Sequence, residues 1–220
     1  MSHQTDLAKP IAILGGTFDP VHVGHLRIAL EIQQAYDLAE VRFIPCWQPV
    51  HRDKPFATPE QRLAMLDAAI ENQPMFKIDD CEIQRQGPSY TIDTIEMLRQ
   101  KFPRTPLCLI LGLDAWSGFA TWHRYEDILR LAHLIIAMRP SYLLPQTGKV
   151  AELLKQHQTQ DVSALHTSLG GKILVHADTS IDIAATTLRD MIAKGQNPQG
   201  LLPDSIYDYI VKHHLYSERK

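Results

Sequence analysis

Two histidines near the start of the chain lie three residues apart, in the segment GGTFDPVHVGH. The pair Gly15–Gly16 directly follows a short apolar run, 11–14, and His22 and His25 stand where an amphipathic stretch begins. Glycines let the backbone approach a ligand closely, and a helix start offers free N–H groups and the positive end of its dipole. Imidazoles at this spacing share one helix face and can donate hydrogen bonds to phosphate oxygens. The segment therefore predicts a phosphate site at which His22 and His25 act together.

Other interpretations of this segment are weaker. It has no Lys-Ser or Lys-Thr pair as in a Walker loop, and its third glycine is misplaced for the dinucleotide fingerprint. His22, His25 and the nearby Asp19 could in principle hold a metal ion, but no HExxH pattern or cysteine partner accompanies them. A glycine pair alone would indicate only the end of a strand. The combination of the residues with their position favours the phosphate site.

Short apolar runs alternate with amphipathic stretches, which predicts βαβ units and a parallel sheet. The predicted strands are 11–14, 41–44, 76–78, 107–111, 133–138 and 172–175, and the predicted helices are 26–36, 59–70, 91–101, 186–194 and 204–214. We expect an α/β fold: a Rossmann-like doubly wound parallel sheet with helices on both faces and a small C-terminal helical part. A single domain is expected over residues 1–220, with 141–170 as a helical and loop excursion. Such sheets bind ligands at the carboxyl ends of their strands.

Composition narrows the class of protein. The 220 residues carry a formal net charge of −3, so there is no basic excess of the kind that marks a nucleic-acid-binding protein. The three cysteines are far apart and form no CxxC pair, which favours buried reduced thiols. No apolar run approaches the roughly 20 residues that span a bilayer, and the first residues lack a signal core. We therefore expect a cytoplasmic protein that binds neither nucleic acid nor membrane. Its oligomeric state is left open.

The segment GGTFDPVHVGH resembles the signature of the nucleotidyltransferase superfamily, whose common element is HxGH at the first strand–helix junction. Members transfer a nucleotidyl group from a nucleoside triphosphate to an acceptor. A second element of that superfamily, Ser-Ser/Ala-Thr-x-x-Arg, opens a late helix that binds the triphosphate. The corresponding segment here is 184–189, in which Thr186 and Arg189 match and Ala184 replaces the serine. The plainer interpretation of this segment alone is an ordinary helix with Thr186 as its N-cap and Arg189 solvated.

Five further segments resemble nicotinate-nucleotide adenylyltransferases in particular and occur in that family's order: 49–52, 87–91, 111–114, 121–125 and 139–140. The resemblance implies that Trp122 stacks on a pyridine ring and that Arg52 and Arg139 face phosphates. It implies ATP-binding residues Gly15, Gly16, Thr17, Phe18, His22, His25, Gly112, Asp114, Thr186 and Arg189. The implied pyridine nucleotide-binding residues are Arg52, Ser89, Tyr90, Thr91, Trp122, Tyr125 and Arg139. Taken singly, each of these residues would be read as packing, a helix cap or a solvated charge.

The implied activity is transfer of the adenylyl group of ATP to nicotinate mononucleotide, which gives nicotinate adenine dinucleotide and pyrophosphate, a step of NAD biosynthesis. The implied catalytic residues are His22, His25 and Arg189. Mg²⁺ would enter with ATP, with no metal site on the protein, and the acid mononucleotide would be preferred over the amide. Two alternatives remain. One is another adenylyl- or cytidylyltransferase of the superfamily. The other is an inactive nucleotide-binding regulator, which only Ala184 and Ala185 favour.

Overall fold

A computed structural model describes residues 7–50, 53–138, 143–177 and 183–217. Its strands pair in parallel in the order β3-β2-β1-β4-β5-β6. Their bounds are β1 Ile11–Gly16, β2 Glu40–Pro45, β3 Phe76–Ile78, β4 Leu107–Gly112, β5 His133–Met138 and β6 Ile173–Ala177. Each predicted strand is present, and the predicted α/β fold with a doubly wound parallel sheet is confirmed.

Helices fill the connections between the strands. Their bounds are α1 Val23–Ala35, α2 Pro59–Ile70, α3 Cys81–Arg85, α4 Thr91–Lys101, α5 Leu113–Ser117, α6 Tyr125–Leu131, α7 Lys149–His157, α8 Ala164–Thr167, α9 Ala185–Ala193 and α10 Asp204–Lys212, with a 3₁₀ turn at Phe119–Thr121. The sequence prediction missed α3, α5 and α6, which are only 5, 5 and 7 residues long and therefore too short to show a helical period. Within the four described ranges, no helix is long and apolar enough to cross a membrane.

The sheet is covered on both faces. Along β1, Ala12 and Leu14 pack on one side, and Ile11 and Ile13 pack on the other. Buried residues of α1, α2, α9 and α10 belong to the first cluster, and those of α4, α5, α6 and α7 belong to the second. The excursion 141–170 contains α7 and α8. That the whole chain forms one domain stays a prediction.

A crevice opens between β1 and β4 at their carboxyl ends. The two strands pair only from Ile11 with Leu107 to Ile13 with Leu109, whereas β1 stays paired with β2 as far as Gly16. Beyond Leu14 the chain turns to α1 on one face, and after β4 it turns to α5 on the other face. The strand order reverses at this point, which is where open α/β sheets bind their ligands.

Candidate active site

The first wall of the crevice is formed by residues 15–22, which comprise the end of β1 and the loop that joins it to α1. A Cβ atom on Gly16 would lie 3.0 Å from the ring of Phe18, so any larger residue here would press against that buried ring. Phe18 has a φ of +51°, and its ring is only 2% exposed, packed on Phe43 and on the edge of His25. This figure covers the whole residue, so the Phe18 backbone is buried as well, and its implied contact with ATP stays a prediction. A side chain on Gly15 would meet nothing within 4 Å, which leaves that backbone open to a ligand.

His22 and His25 form a stacked pair at the start of α1. The helix begins at Val23, earlier than the sequence predicts, so His22 is its N-cap and His25 lies in its first turn. The two ring centroids are 3.7 Å apart with an interplanar angle of 23°. The backbone N–H of His22 donates to Nδ1 of His25 at 3.3 Å. A neutral His25 in this arrangement carries its proton on Nε2, which leaves that nitrogen as a hydrogen-bond donor.

Arg189 contacts the first loop although it lies 170 residues further along the chain. Its Nη1 donates to the backbone oxygen of Asp19 at 2.7 Å, and its Nη2 donates to Oγ1 of Thr186 at 3.2 Å. The guanidinium also lies over the ring of Phe56, 4.7 Å from its centroid. The plainer interpretation of a freely solvated arginine is therefore wrong. Tertiary structure brings the two motifs together at one end of the sheet.

The start of α9 differs from the capped helix that the sequence suggests. Its N-cap is Ala184, in extended backbone conformation, and Ala184 makes no side-chain capping hydrogen bond. Thr186, which the sequence offered as the cap, instead lies in the first turn of the helix. The N–H groups of the first turn have no partner within the helix, and such groups bind anions well.

We expect Ala184→Ser to stabilise the protein by about 1 kcal/mol, because a serine at an N-cap accepts a hydrogen bond from the first turn. The free energy of unfolding in urea measures this effect. Ala185→Ser, one position inside the helix, is the matched control and should not stabilise. Turnover with ATP should not fall in either variant. Loss of stability on Ala184→Ser would contradict the assignment of this N-cap.

Arg62 is a buried cation beneath the loop that the sequence analysis missed. It is 0% exposed, and it donates to the backbone oxygens of Thr17 and Cys46, each at 2.7 Å. These two oxygens belong to the segments that follow β1 and β2, so one guanidinium holds both strand ends in place. The available signal was its position, because Arg62 falls on the buried stripe of α2 with Met65 and Leu66.

The opposite wall of the crevice lies at the end of β4. Gly112 is exposed, and a side chain there would meet nothing within 4 Å. It is also the N-cap of α5, and Asp114 is an exposed residue of the first turn rather than the cap. Gly112 and Asp114 thus lie across the crevice from the first loop. Their implied contact with the ATP ribose stays a prediction.

Three segments meet on the side implied for the pyridine ring. Ser89 links two of them, because its Oγ accepts from the N–H of Trp47 at 2.9 Å and its N–H donates to Gln48 at 3.0 Å. Tyr90, just before α4, brings in the third, since its ring lies 4.9 Å from that of His123. Thr91 begins α4. The sequence analysis did not single out Trp47 or His123.

The aromatic residues of the third segment are partly packed. The rings of Trp122 and Tyr125 lie 5.6 and 5.8 Å from that of Phe119, which is fully buried. Trp122 is half-buried, so packing on Phe119 sets its orientation and still leaves part of the indole available. Stacking of Trp122 on a pyridine ring and a role for Tyr125 in binding stay predictions.

A buried carboxylate lies behind Ser89. Glu82 is 8% exposed, and one of its oxygens accepts from the hydroxyl of Thr94 at 2.6 Å. Burial raises the pKa of Glu82, while hydrogen bonds from Thr94 and Ser89 oppose that rise. Glu82 therefore fixes the Ser89 hydroxyl from below. A single glutamate on a five-residue helix carries no signal that sequence inspection could use.

Arg52 and Arg139 lie outside the described residues, so their implied phosphate contacts stay predictions. Among the described residues, no group of three His, Cys, Asp or Glu side chains could hold a metal ion. The cysteines are free: Cys46 and Cys108 are buried, and Cys81 is half-buried. Two of the three thiols thus match the expected burial.

Comparison with known protein sequences shows which family this chain resembles. The cytidylyltransferase-like family matches residues 13–169. A probable nicotinate-nucleotide adenylyltransferase of Aeromonas salmonicida is 46% identical over 210 residues, which cover 96% of this chain and 98% of that protein. Another from Hahella chejuensis is 42% identical over 210 residues, with 94% and 96% covered.

Solved structures show the same fold. The nicotinic acid mononucleotide adenylyltransferase of Plasmodium falciparum, complexed with NaAD, is similar with a TM-score of 0.75 at 18% identity, and the match covers 95% of this chain and 98% of that chain. A putative nicotinate-nucleotide adenylyltransferase from Vibrio parahaemolyticus is similar with a TM-score of 0.64. Family membership follows from the sequence matches over nearly the full length. The chain belongs to the cytidylyltransferase-like family and, within it, to the nicotinate-nucleotide adenylyltransferases.

Proposed function

We propose that this chain transfers the adenylyl group of ATP to nicotinate mononucleotide and releases pyrophosphate. The observation that carries the proposal is the hydrogen bond from Arg189 to the carbonyl of Asp19, which brings this late arginine to the loop that leads to the stacked His22 and His25. Two imidazoles, one guanidinium and the first turn of α9 together form a set of donors suited to a triphosphate.

The reaction needs no covalent enzyme intermediate. A phosphate oxygen of the mononucleotide attacks the α-phosphorus of ATP, and the bond from that phosphorus to the bridging oxygen of pyrophosphate breaks in line. The protein positions the two nucleotides and stabilises the charge that develops on the equatorial and leaving oxygens. We assign this stabilisation to His22, His25 and Arg189. Arg62 supports the loop that carries these residues, because its guanidinium donates to the carbonyl of Thr17 from beneath.

ATP is proposed to enter as its Mg²⁺ complex. The carboxylate of Asp19, in the loop, already accepts hydrogen bonds from Phe56, Ala57 and Tyr216. The oxygens of Asp19 are therefore already engaged, and the site fits an Mg²⁺ ion whose ligands are phosphate oxygens and water rather than protein carboxylates. When bound, the ion neutralises charge on the leaving pyrophosphate.

The segments around Ser89 and Trp122 are proposed to select the acid. Backbone N–H groups there would meet the substituent of the pyridine ring, and a carboxylate can accept from all of them. A carboxamide must turn its NH₂ toward at least one donor, which costs about 1–3 kcal/mol per unpaired group. We therefore expect kcat/KM for nicotinate mononucleotide to exceed that for the amide by at least about 10-fold.

Pyrophosphate release, measured with ATP and each mononucleotide at the same Mg²⁺ concentration, tests the proposal. Turnover with 4′-phosphopantetheine in place of the pyridine nucleotide would instead favour the other members of the superfamily. Nucleotide binding without pyrophosphate release would favour a regulator. Equal rates for acid and amide would mean that the pocket also presents an acceptor to the ring substituent.

A further inference from the structure

Tyr216, close to the last described residue, contacts the loop that leads from β1 to His22. The hydroxyl of Tyr216 donates to Oδ1 of Asp19 at 2.7 Å, across a separation of 197 residues. Asp19 is 4% exposed and lies three residues before His22. None of the motifs discussed so far includes Tyr216.

Asp19 joins several segments at once. Its Oδ2 accepts from the N–H of Phe56 at 2.7 Å, its Oδ1 accepts from the N–H of Ala57 at 3.1 Å, and its backbone oxygen accepts from Arg189. The carboxylate therefore ties the loop to the segment before α2, while the carbonyl ties it to α9. The hydrogen bond from Tyr216 ties the segment after α10 to the same aspartate.

The backbone holds Tyr216 in an uncommon conformation. Its φ is +60°, in the left-handed region, which costs a residue with a side chain roughly 1–2 kcal/mol. Leu215 and Tyr216 pack against the core cluster that also includes Phe18 and Val21. Packing and the hydrogen bond to Asp19 thus impose a conformation that the isolated chain would avoid.

The hydroxyl of Tyr216 stays protonated at neutral pH and therefore remains a hydrogen-bond donor. Burial and the Asp19 carboxylate beside it raise the pKa of Tyr216 well above its ordinary value of 10.0. The hydrogen bond to a carboxylate is of the charge-assisted type, which is stronger than a bond between neutral groups.

We propose that Tyr216 is a positioning residue for the adenylyl transfer, because it holds Asp19 and thereby sets the spacing between His22 and Arg189. The inference rests on the proposed function. Tyr216 touches neither substrate nor reacting atoms and acts only through the loop. Its loss should therefore slow the chemical step more than it weakens binding of the pyridine nucleotide.

The test is Tyr216→Phe in the full chain, which removes one hydroxyl and keeps the ring. We expect kcat to fall about 10-fold, as for loss of one charge-assisted hydrogen bond, while KM for nicotinate mononucleotide changes by less than about twofold. Amide hydrogen exchange at Phe56 and Ala57 should become about 10-fold faster, since the carboxylate that holds both N–H groups is no longer pinned. Tyr209→Phe, on a tyrosine half-buried against the same core cluster, is the matched control and should change neither quantity.

The outcomes separate the two proposals. Faster exchange with unchanged kcat would make Tyr216 a purely structural residue and overturn the inference, as would no change in either quantity. An equal loss in the Tyr209 variant would also overturn it. If the unaltered chain itself releases no pyrophosphate, the proposed function fails instead, and unchanged exchange at Phe56 would then still reject the link from Tyr216 to the loop.

Discussion

Replacing His22 or His25 by alanine is expected to lower kcat by about 10²- to 10³-fold, because each variant removes a side chain that we propose stabilises charge developing only in the transition state. The stacked rings make the two effects non-additive. Each imidazole supports the other at 3.7 Å, so the double variant should lose little more than the worse of the two single variants. KM for the mononucleotide should change less than kcat.

Single-turnover pyrophosphate release at saturating ATP measures this loss. The matched control is His213→Ala, which changes an exposed histidine after α10. Near-normal turnover in both His22→Ala and His25→Ala, with an unchanged unfolding midpoint, would remove these residues from the mechanism. A loss in the control as large as theirs would make the effect unspecific.

Arg189→Ala is expected to lower kcat/KM for ATP by about 10²-fold, since it removes the proposed charged donor to the triphosphate. It also removes the 2.7 Å hydrogen bond to the carbonyl of Asp19, so the loop that leads to His22 loses one of its supports. Arg189→Lys should restore only part of the activity, because an ammonium cannot serve the Asp19 carbonyl, the Thr186 hydroxyl and a phosphate in the planar geometry of a guanidinium.

Steady-state kinetics with ATP as the varied substrate check this expectation. Arg130→Ala is the control, because the Arg130 side chain is 68% exposed and pairs with Asp127 on the surface of α6. Such surface pairs contribute little to stability, about 0–1 kcal/mol. Unchanged ATP kinetics in Arg189→Ala would mean that the start of α9 is an ordinary helix end and that the match to the triphosphate motif is accidental.

The sequence by itself determined the order of the strands and of the longer helices, and the place of the first motif. This succeeded because buried parallel strands are continuous apolar runs, as in 107–111 and 133–138, and because long helices such as α2 show a clear period and cap. The segment with His22 and His25 could be placed at the carboxyl end of the sheet, because it directly follows the apolar run that forms β1. The boundary of α1 was wrong by three residues because His22 is an uncommon N-cap.

Only the tertiary structure decided which distant side chains support the site. Asp19 was a candidate metal ligand by its position in the sequence, yet in the structure it accepts hydrogen bonds from Phe56, Ala57 and Tyr216. Glu82 carries no local sign of burial, and for Arg62 the one sign is its place on the buried stripe of α2, because charged residues are normally solvated and only their partners make burial tolerable. The partners of Arg62 lie 45 and 16 residues away and Thr94 lies 12 residues from Glu82, so they meet only when the chain folds. Local patterns therefore predicted where the chemistry lies, while long-range contacts determined what holds it in place.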